Sequence, residues 1–318
     1  MSTYMNEVVL RFFKKRCISI EIELNPYVLD AIEIFELVDE EVNRLAQEHI
    51  KRLQHEVAWA IVHDMYKKCH EFTGATLATF LIAHIASAEA LCRTAVESAV
   101  NLYYASCGDD IGNVIAYFRE YIATEKKQNK AWLKSVENSD YPDDAKNYHR
   151  ALIEDKEHNL ELYEDTLRKS LSLINISYDN HPGSWPSTFD RFSKIGKEVD
   201  YRTTYAALCS QAHNDPEDIL NNLMSRIIEA DGYAKSVETE AYVFSLNMVL
   251  TGICYYAEAS AMYLAKYHIS VTENLAPLLK RATELQMDLQ SHSMAHILSL
   301  LQHSSNNTVT RTHTSNPL

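Results

Sequence analysis

The sequence predicts an all-α protein built of long helices packed as a bundle. Three observations carry that expectation. Gly and Pro number only seven each in 318 residues, too few for the turns of a β-sandwich or an α/β nucleotide fold. Long segments place apolar residues at three- and four-residue spacing, the period of a helix with one buried face. Hydrophobic residues make up 46% of the chain, and at this length that is enough to bury a sizeable core.

Residues 1 to about 25 depart from the helical pattern. There "VVLRFF" and "CISIEIEL" partly alternate, which predicts a short N-terminal β segment. Helical spacing begins at Pro26 and runs to Cys69, with a break expected at Gly74. The next helix, Ala75 to Ser106, is apolar over most of its circumference and is expected to be the central, buried one. Gly108-Asp109-Asp110 ends it. A third helix covers about Ile111 to Val136, and Pro142 opens a fourth over Asp143 to Ser172 with an exposed ladder of charges. "NISYDNHPGSWPS" is the clearest loop. A short helix follows over about Pro186 to Gly196, then one carrying Tyr201 to His213, then one started by Asp215-Pro216. Two long helices are expected near Val237 to His268 and Thr272 to His303. No heptad is sustained long enough to predict a coiled coil. One domain is expected over 1–303, and the polar tail 304–318 has no apolar face and reads as disordered.

Net charge is −14, from 30 basic and 44 acidic residues. An acidic surface repels phosphate backbones, so broad DNA binding is not expected, although a local basic pocket remains compatible. The six cysteines are scattered with no Cys-x-x-Cys pair, as in proteins of a reducing compartment. No run approaches a membrane-spanning length, and the N-terminus has no apolar h-region. The expected location is the cytoplasm.

Two constellations stand out. Glu89, Arg93, Glu97 and Asn101 follow one another at four-residue steps on the Ala75–Ser106 helix, so they share one slowly drifting face. Charges on so apolar a helix call for partners, and Arg93 between two glutamates reads as self-neutralising. The ladder serves either as a buried network that sets helix register or as a polar pocket with Arg93 ready for an anion such as phosphate. The second constellation is "YRTTYAALCSQAHNDPEDI". Tyr201, Tyr205 and His213 fall along one stripe, and Asn214-Asp215-Pro216 stops that helix and caps the next. His213 is either a helix-terminal histidine that satisfies carbonyls or a general acid/base.

Other chemistries find little support. Asp288, His292 and His296 recur at four-residue spacing but read as a surface stripe, so no metal is expected. Cys209 and His213 lack anything to orient them as a nucleophile pair. His55 and His63 beside Trp59 read as packing or surface residues. There is no Gly-rich dinucleotide fingerprint, phosphate loop or nucleophile elbow, and no cofactor is expected.

The segments "CRTAVESAVNLYY" and "SWPSTFDRFSKIGKEVDYRTTYAALCSQAHNDPEDIL" resemble a family of uncharacterised, mostly bacterial, all-helical proteins, a domain of unknown function. That pattern pairs an Arg-x-x-x-Glu helix, here Arg93 and Glu97, with a later Tyr-rich helix, here Tyr205, Cys209 or Ser210, and His213. The family is distantly similar to the HEPN helical bundles, many of which are metal-independent endoribonucleases acting as homodimers. The resemblance implies an HEPN-like core with extra helices and an RNA or nucleotide partner. His213 would be the acid/base, and Arg93 or Arg202 would stabilise charge on phosphate. Glu97, Asn101, Tyr201, Tyr205 and Asn214 would line the site. Position 206, where the family often has Arg, is Ala. The competing expectation is a non-catalytic helical interaction module or homodimer in which the same residues form a structural polar network.

Overall fold

Pro26 opens the first helix: its fixed φ suits the first turn, where its missing N–H has no helical partner to lose. In the computed structural model the described residues are 26–56, 58–108, 111–179, 183–211, 219, 220, 223, 224, 227, 233–270 and 273–291. These residues form helices and turns and contain no strand. The expected N-terminal β segment and the polar tail lie outside them. The chain divides into two compact units, one formed by residues up to 106 together with those from 188 onward, the other by 107–187.

In the first unit, α1 spans Pro26–Glu48, α2 Ile50–Leu53, α3 Trp59–Leu81 and α4 Ile85–Ser106. The break expected at Gly74 falls elsewhere. Helix α3 runs straight through Gly74, where a Cβ would lie 3.2 Å from the Phe35 ring. This glycine lets α1 approach α3 rather than ending a helix. The break comes at residues 82–84, where Ala83 takes φ 59°.

The unit continues with α7 (Thr188–Lys194), α8 (Glu198–Asp200), a π-helical turn (Tyr201–Tyr205) and α9 (Ala206–Gln211). Helix α10 follows at Tyr233–Lys266 and α11 at Leu275–Ser291. Helix α10, about 50 Å long by its rise per residue, shares the centre with α4. Residues on all its sides are buried, among them Leu246, Leu250, Ile253, Tyr256 and Leu264, as befits a helix with no polar face. It packs on α1, α3, α4 and α11.

Aromatic side chains join α3 to α10. The Tyr66 hydroxyl donates to Asp39 Oδ1 at 2.7 Å and lies 2.9 Å from the Tyr256 hydroxyl. Trp59 Nε1 donates to the Tyr263 oxygen at 2.9 Å, which leaves the Tyr263 hydroxyl to donate to His63 Nδ1 at 3.0 Å. His63 is thus a packing residue, stacked on Trp59 at 5.1 Å.

The second unit is a hairpin of α5 (Gly112–Glu137) and α6 (Asp143–Ser172). Pro142 precedes α6 as its N-cap, and acidic Asp143 and Asp144 occupy its first turn, favourable at the positive end of the helix dipole. Ion pairs join the two helices: Arg150 to Glu137 at 2.7 Å, Lys126 to Glu164 at 2.6 Å, and Lys156 to Glu125. The buried positions recur every seven residues, at Ile115, Ile122, Asn129 and Val136 on α5 and at Ile153 and Leu160 on α6. These positions turn one face of each helix inward. Asn129 in this series is 0% exposed, and neither amide atom has a hydrogen-bond partner among the described residues.

Candidate functional site

The site residues come from α4, α7, the π-helical turn and α9, all in the first unit. The π-turn is closed by the Ala206 N–H donating to the Tyr201 carbonyl, one residue wider than an α-helical bond. The extra residue swings Tyr201 and Tyr205 into a stack, with centroids 5.5 Å apart and planes at 26°. Both rings also pack against Phe192 of α7, at 5.5 and 5.3 Å. Single π-turns of this kind are frequent at functional positions.

Tyr205 is 5% exposed, and its hydroxyl donates to Glu97 Oε2 at 2.6 Å. Burial, then the neighbouring Glu97 carboxylate, raises its pKa above the usual tyrosine value. The other Glu97 oxygen lies 3.7 Å from a guanidinium nitrogen of Arg191, which also donates to Thr188 Oγ1 at 3.1 Å. Arg191 is 5% exposed. An arginine this buried needs its carboxylate, so Glu97 is committed to Tyr205 and Arg191.

Arg93 is placed differently from the sequence expectation. It is not neutralised by Glu89 and Glu97. Each four-residue step on a helix turns the side chain by roughly 40°. Glu89 therefore faces α10, where it is buried and accepts from Ser245, while Arg93 points toward α9. There Arg93 Nε donates to Cys209 Sγ at 3.1 Å, and its guanidinium carbon sits 5.7 Å from the centre of the Tyr205 ring. These contacts, Cys209 first, raise its pKa further. Arg93 is half-buried and has no carboxylate within ion-pair distance among the described residues.

Arg202 is exposed and stacks on two rings, Phe189 at 4.6 Å and Tyr201 at 5.6 Å. Asn101, half-buried on α4, keeps a carbonyl oxygen with no hydrogen-bond partner among the described residues. Beneath the π-turn, Tyr255 donates to Asp200 Oδ2 at 2.8 Å, and Lys197 lies over the Tyr255 ring at 4.7 Å.

Of the residues expected at the site, Arg93, Glu97, Tyr201, Tyr205 and Arg202 thus share one set of contacts. His213 and Asn214 lie outside the described residues. So do His292 and His296 of the surface stripe, while Asp288 accepts from the Tyr27 hydroxyl at 2.9 Å. Sequence reasoning missed Arg191. Its signal was an arginine between Phe189 and Phe192 in a short helix, where an apolar setting obliges a cation to find a buried carboxylate. A separate cleft of about 460 Å³ lies between α1 and the start of α11, lined by Glu40, Glu41, Arg44, Glu273 and Leu278 among others. None of the expected site residues lines it.

The fold and these contacts define an all-helical protein whose arginines are seated on aromatic rings. Residues 60–231, more than half of the chain, match a family of unknown function, DUF5677, and the chain belongs to that family. The matched segment contains every residue of the site from Arg93 to Cys209. No curated protein and no solved structure matches the chain. No described helix is long and apolar enough to cross a membrane.

Proposed function

We propose that this protein binds a phosphate-bearing ligand, RNA or a nucleotide, through Arg93. One observation supports this above all. In a chain of net charge −14, Arg93 rests on a tyrosine face and a thiol without a carboxylate partner among the described residues. Arg44, Arg150, Arg168, Arg191 and Arg281 all pair with carboxylates. A half-buried guanidinium without a counter-ion is costly, and an incoming anion relieves that cost. Its planar fork suits phosphate. Arg202, one rung along the aromatic stack, supplies a second cation, and the rings around it offer faces on which a base can stack.

The catalytic extension follows the HEPN-like resemblance. The 2′-hydroxyl of RNA attacks the adjacent phosphorus as His213 takes its proton; the bond from phosphorus to the 5′-oxygen breaks, the imidazolium returns the proton to that leaving oxygen, and a 2′,3′-cyclic phosphate and a 5′-hydroxyl result, with Arg93 stabilising the charge that builds on the phosphoryl oxygens. The second reading, a structural polar network, draws on Tyr205, Glu97 and the buried Arg191. We place the protein in the cytosol, where its free cysteines stay reduced.

Calorimetric titration with inorganic phosphate, nucleoside monophosphates and a short RNA tests binding. Saturable binding that is lost in Arg93→Met, with the melting temperature kept, supports the proposal. If Arg93→Met instead costs several kcal/mol of stability and the wild type binds none of these ligands, the structural network is the better account. Metal-free cleavage leaving 2′,3′-cyclic phosphate ends, abolished in His213→Ala while binding persists, would extend the function to an endoribonuclease.

A further inference from the structure

Oxidisable rings fill the seam between α3 and α10. Trp59 Nε1 donates to the Tyr263 oxygen at 2.9 Å. Tyr263 stacks on Tyr66, with centroids 5.5 Å apart and planes at 13°. Tyr66 faces Tyr256 at 6.1 Å and 23°, and their hydroxyls lie 2.9 Å apart. All three tyrosines are buried, whereas Trp59 is half-buried and gives the run an end at the surface. Phenylalanine would fill the same space without a buried hydroxyl to satisfy.

Each phenol has a base beside it. Tyr263 donates to His63 Nδ1 at 3.0 Å, Tyr66 donates to Asp39 Oδ1 at 2.7 Å, and the Tyr256 hydroxyl lies 3.2 Å from His70 Nδ1. The bases stand at the rim of the seam: His63 is half-buried, and the side chains of His70 and Asp39 are 34 and 27% exposed. Electrons therefore have a path along the rings, and protons a path outward. The run is closed at both ends. Tyr267, edge-on to Tyr263 at 5.8 Å, has a buried hydroxyl with no hydrogen-bond partner among the described residues, so its proton has no base to go to. Beyond Tyr256 lies Phe35 at 5.3 Å, a ring far harder to oxidise than a phenol.

An oxidised phenol is a strong acid and passes its proton to the nearest base. Burial raises the pKa of Tyr66, Tyr256 and Tyr263, so each keeps its proton until an electron leaves. Burial also lowers the pKa of His63, which keeps that imidazole neutral and able to accept.

We infer that the α3–α10 seam is a redox site that draws an electron vacancy inward from Trp59 and holds it on Tyr66. The substrate is a one-electron oxidant, such as an oxidising free radical, at the protein surface. It takes one electron from the Trp59 indole and is itself reduced by one. Tyr263 gives an electron to the indole, its O–H bond breaks, and the proton moves to His63 Nδ1. Tyr66 then gives an electron to Tyr263 and its proton to Asp39 Oδ1, while His63 returns its proton to the Tyr263 oxygen. Trp59, Tyr263 and His63 end as they began. Tyr66 is left as a neutral phenoxyl radical and Asp39 is protonated. The vacancy rests on Tyr66 because its oxygen still accepts a hydrogen bond from Tyr256, in a place shut off from water and from other radicals. None of these residues belongs to the Arg93 site, so either proposal can fail without the other.

Flash photolysis of a tris(bipyridine)ruthenium complex with a sacrificial cobalt acceptor supplies a one-electron oxidant to the full chain. Electron paramagnetic resonance on samples frozen after the flash should show a tyrosyl radical that outlives those on exposed tyrosines, which couple to one another and vanish. Trp59→Phe should lower the yield of the long-lived signal, and Tyr66→Phe should abolish it with circular dichroism unchanged. Asp39→Asn keeps a hydrogen-bond acceptor but removes the base, so it should shorten the life of the signal, and it serves as the test if Tyr66→Phe fails to fold. A long-lived signal unchanged by Tyr66→Phe or by Asp39→Asn would overturn the inference. So would a wild type whose tyrosyl radicals decay as fast as those of the urea-unfolded chain.

Discussion

Replacing Tyr205 by Phe removes one oxygen and leaves the ring. The ring keeps its stack on Tyr201, its contact with Phe192 and its place under Arg93. What is lost is the 2.6 Å hydrogen bond to Glu97. A hydrogen bond to a charged group contributes about 1.5–3 kcal/mol. The Glu97 side chain is 32% exposed and can take water in exchange, which moves the expected loss toward the lower end, about 1–2 kcal/mol. The Glu97→Gln partner variant weakens the same contact and also removes the anionic charge 3.7 Å from the buried Arg191, so it should cost more than Tyr205→Phe, about 2–3 kcal/mol. Urea unfolding of the wild type, both single variants and the double variant closes a double-mutant cycle. The expected coupling between Tyr205 and Glu97 is about 1 kcal/mol. A coupling near zero, or a Tyr205→Phe variant as stable as the wild type, would refute the view that Glu97 is committed to Tyr205 and so withheld from Arg93.

Three further outcomes follow from the packing. Asn129→Leu replaces a fully buried amide, without a hydrogen-bond partner among the described residues, with an apolar residue of similar volume, and should raise stability by about 1–2 kcal/mol; a loss in thermal or urea unfolding would show that the amide is satisfied. The pKa of His63 is held below the ordinary histidine value, first by burial and then by Lys67. The unfolded chain therefore binds its proton more readily, so stability falls as pH drops below about 6.5; unfolding followed across pH 5–8 should show this slope, and His63→Gln should flatten it. Burial pushes the thiols of Cys69, Cys92 and Cys254 up to about 12, whereas Cys107 and Cys209 are only half-buried. Mass-spectrometric mapping after iodoacetamide should find Cys107 and Cys209 labelled in the native protein and the other three only on unfolding.

Much of the helical layout is legible in the sequence. Helix α6 spans Asp143–Ser172 as its opening proline and its charge ladder indicate, because capping and surface charge act locally. Gly74 misleads for the opposite reason. A glycine marks a break or a close approach with the same letter, and only Phe35 from another helix tells them apart. Asn129 is a core position that an apolar count passes over, because it is polar yet fully buried. At the site, the four-residue ladder correctly groups Arg93, Glu97 and Asn101 on α4. It misjudges their pairing, because roughly 40° of drift per step sends Glu89 to Ser245 and Arg93 to Cys209. The π-turn over Tyr201–Tyr205 has no signature in the residues themselves. It is a shift in hydrogen bonding imposed by packing against α4 and α7.

Whether Arg93, which has no carboxylate partner among the described residues, meets a phosphate is tested most directly by the salt dependence of RNA binding. A short labelled single-stranded RNA should bind with an affinity that falls linearly in log–log form as salt rises, by about 0.7 of a unit of slope for each phosphate neutralised. Arg93→Met should bind more weakly and reduce that slope by about one phosphate's worth. An unchanged slope and affinity in Arg93→Met, or no binding by the wild type at low salt, would contradict the account.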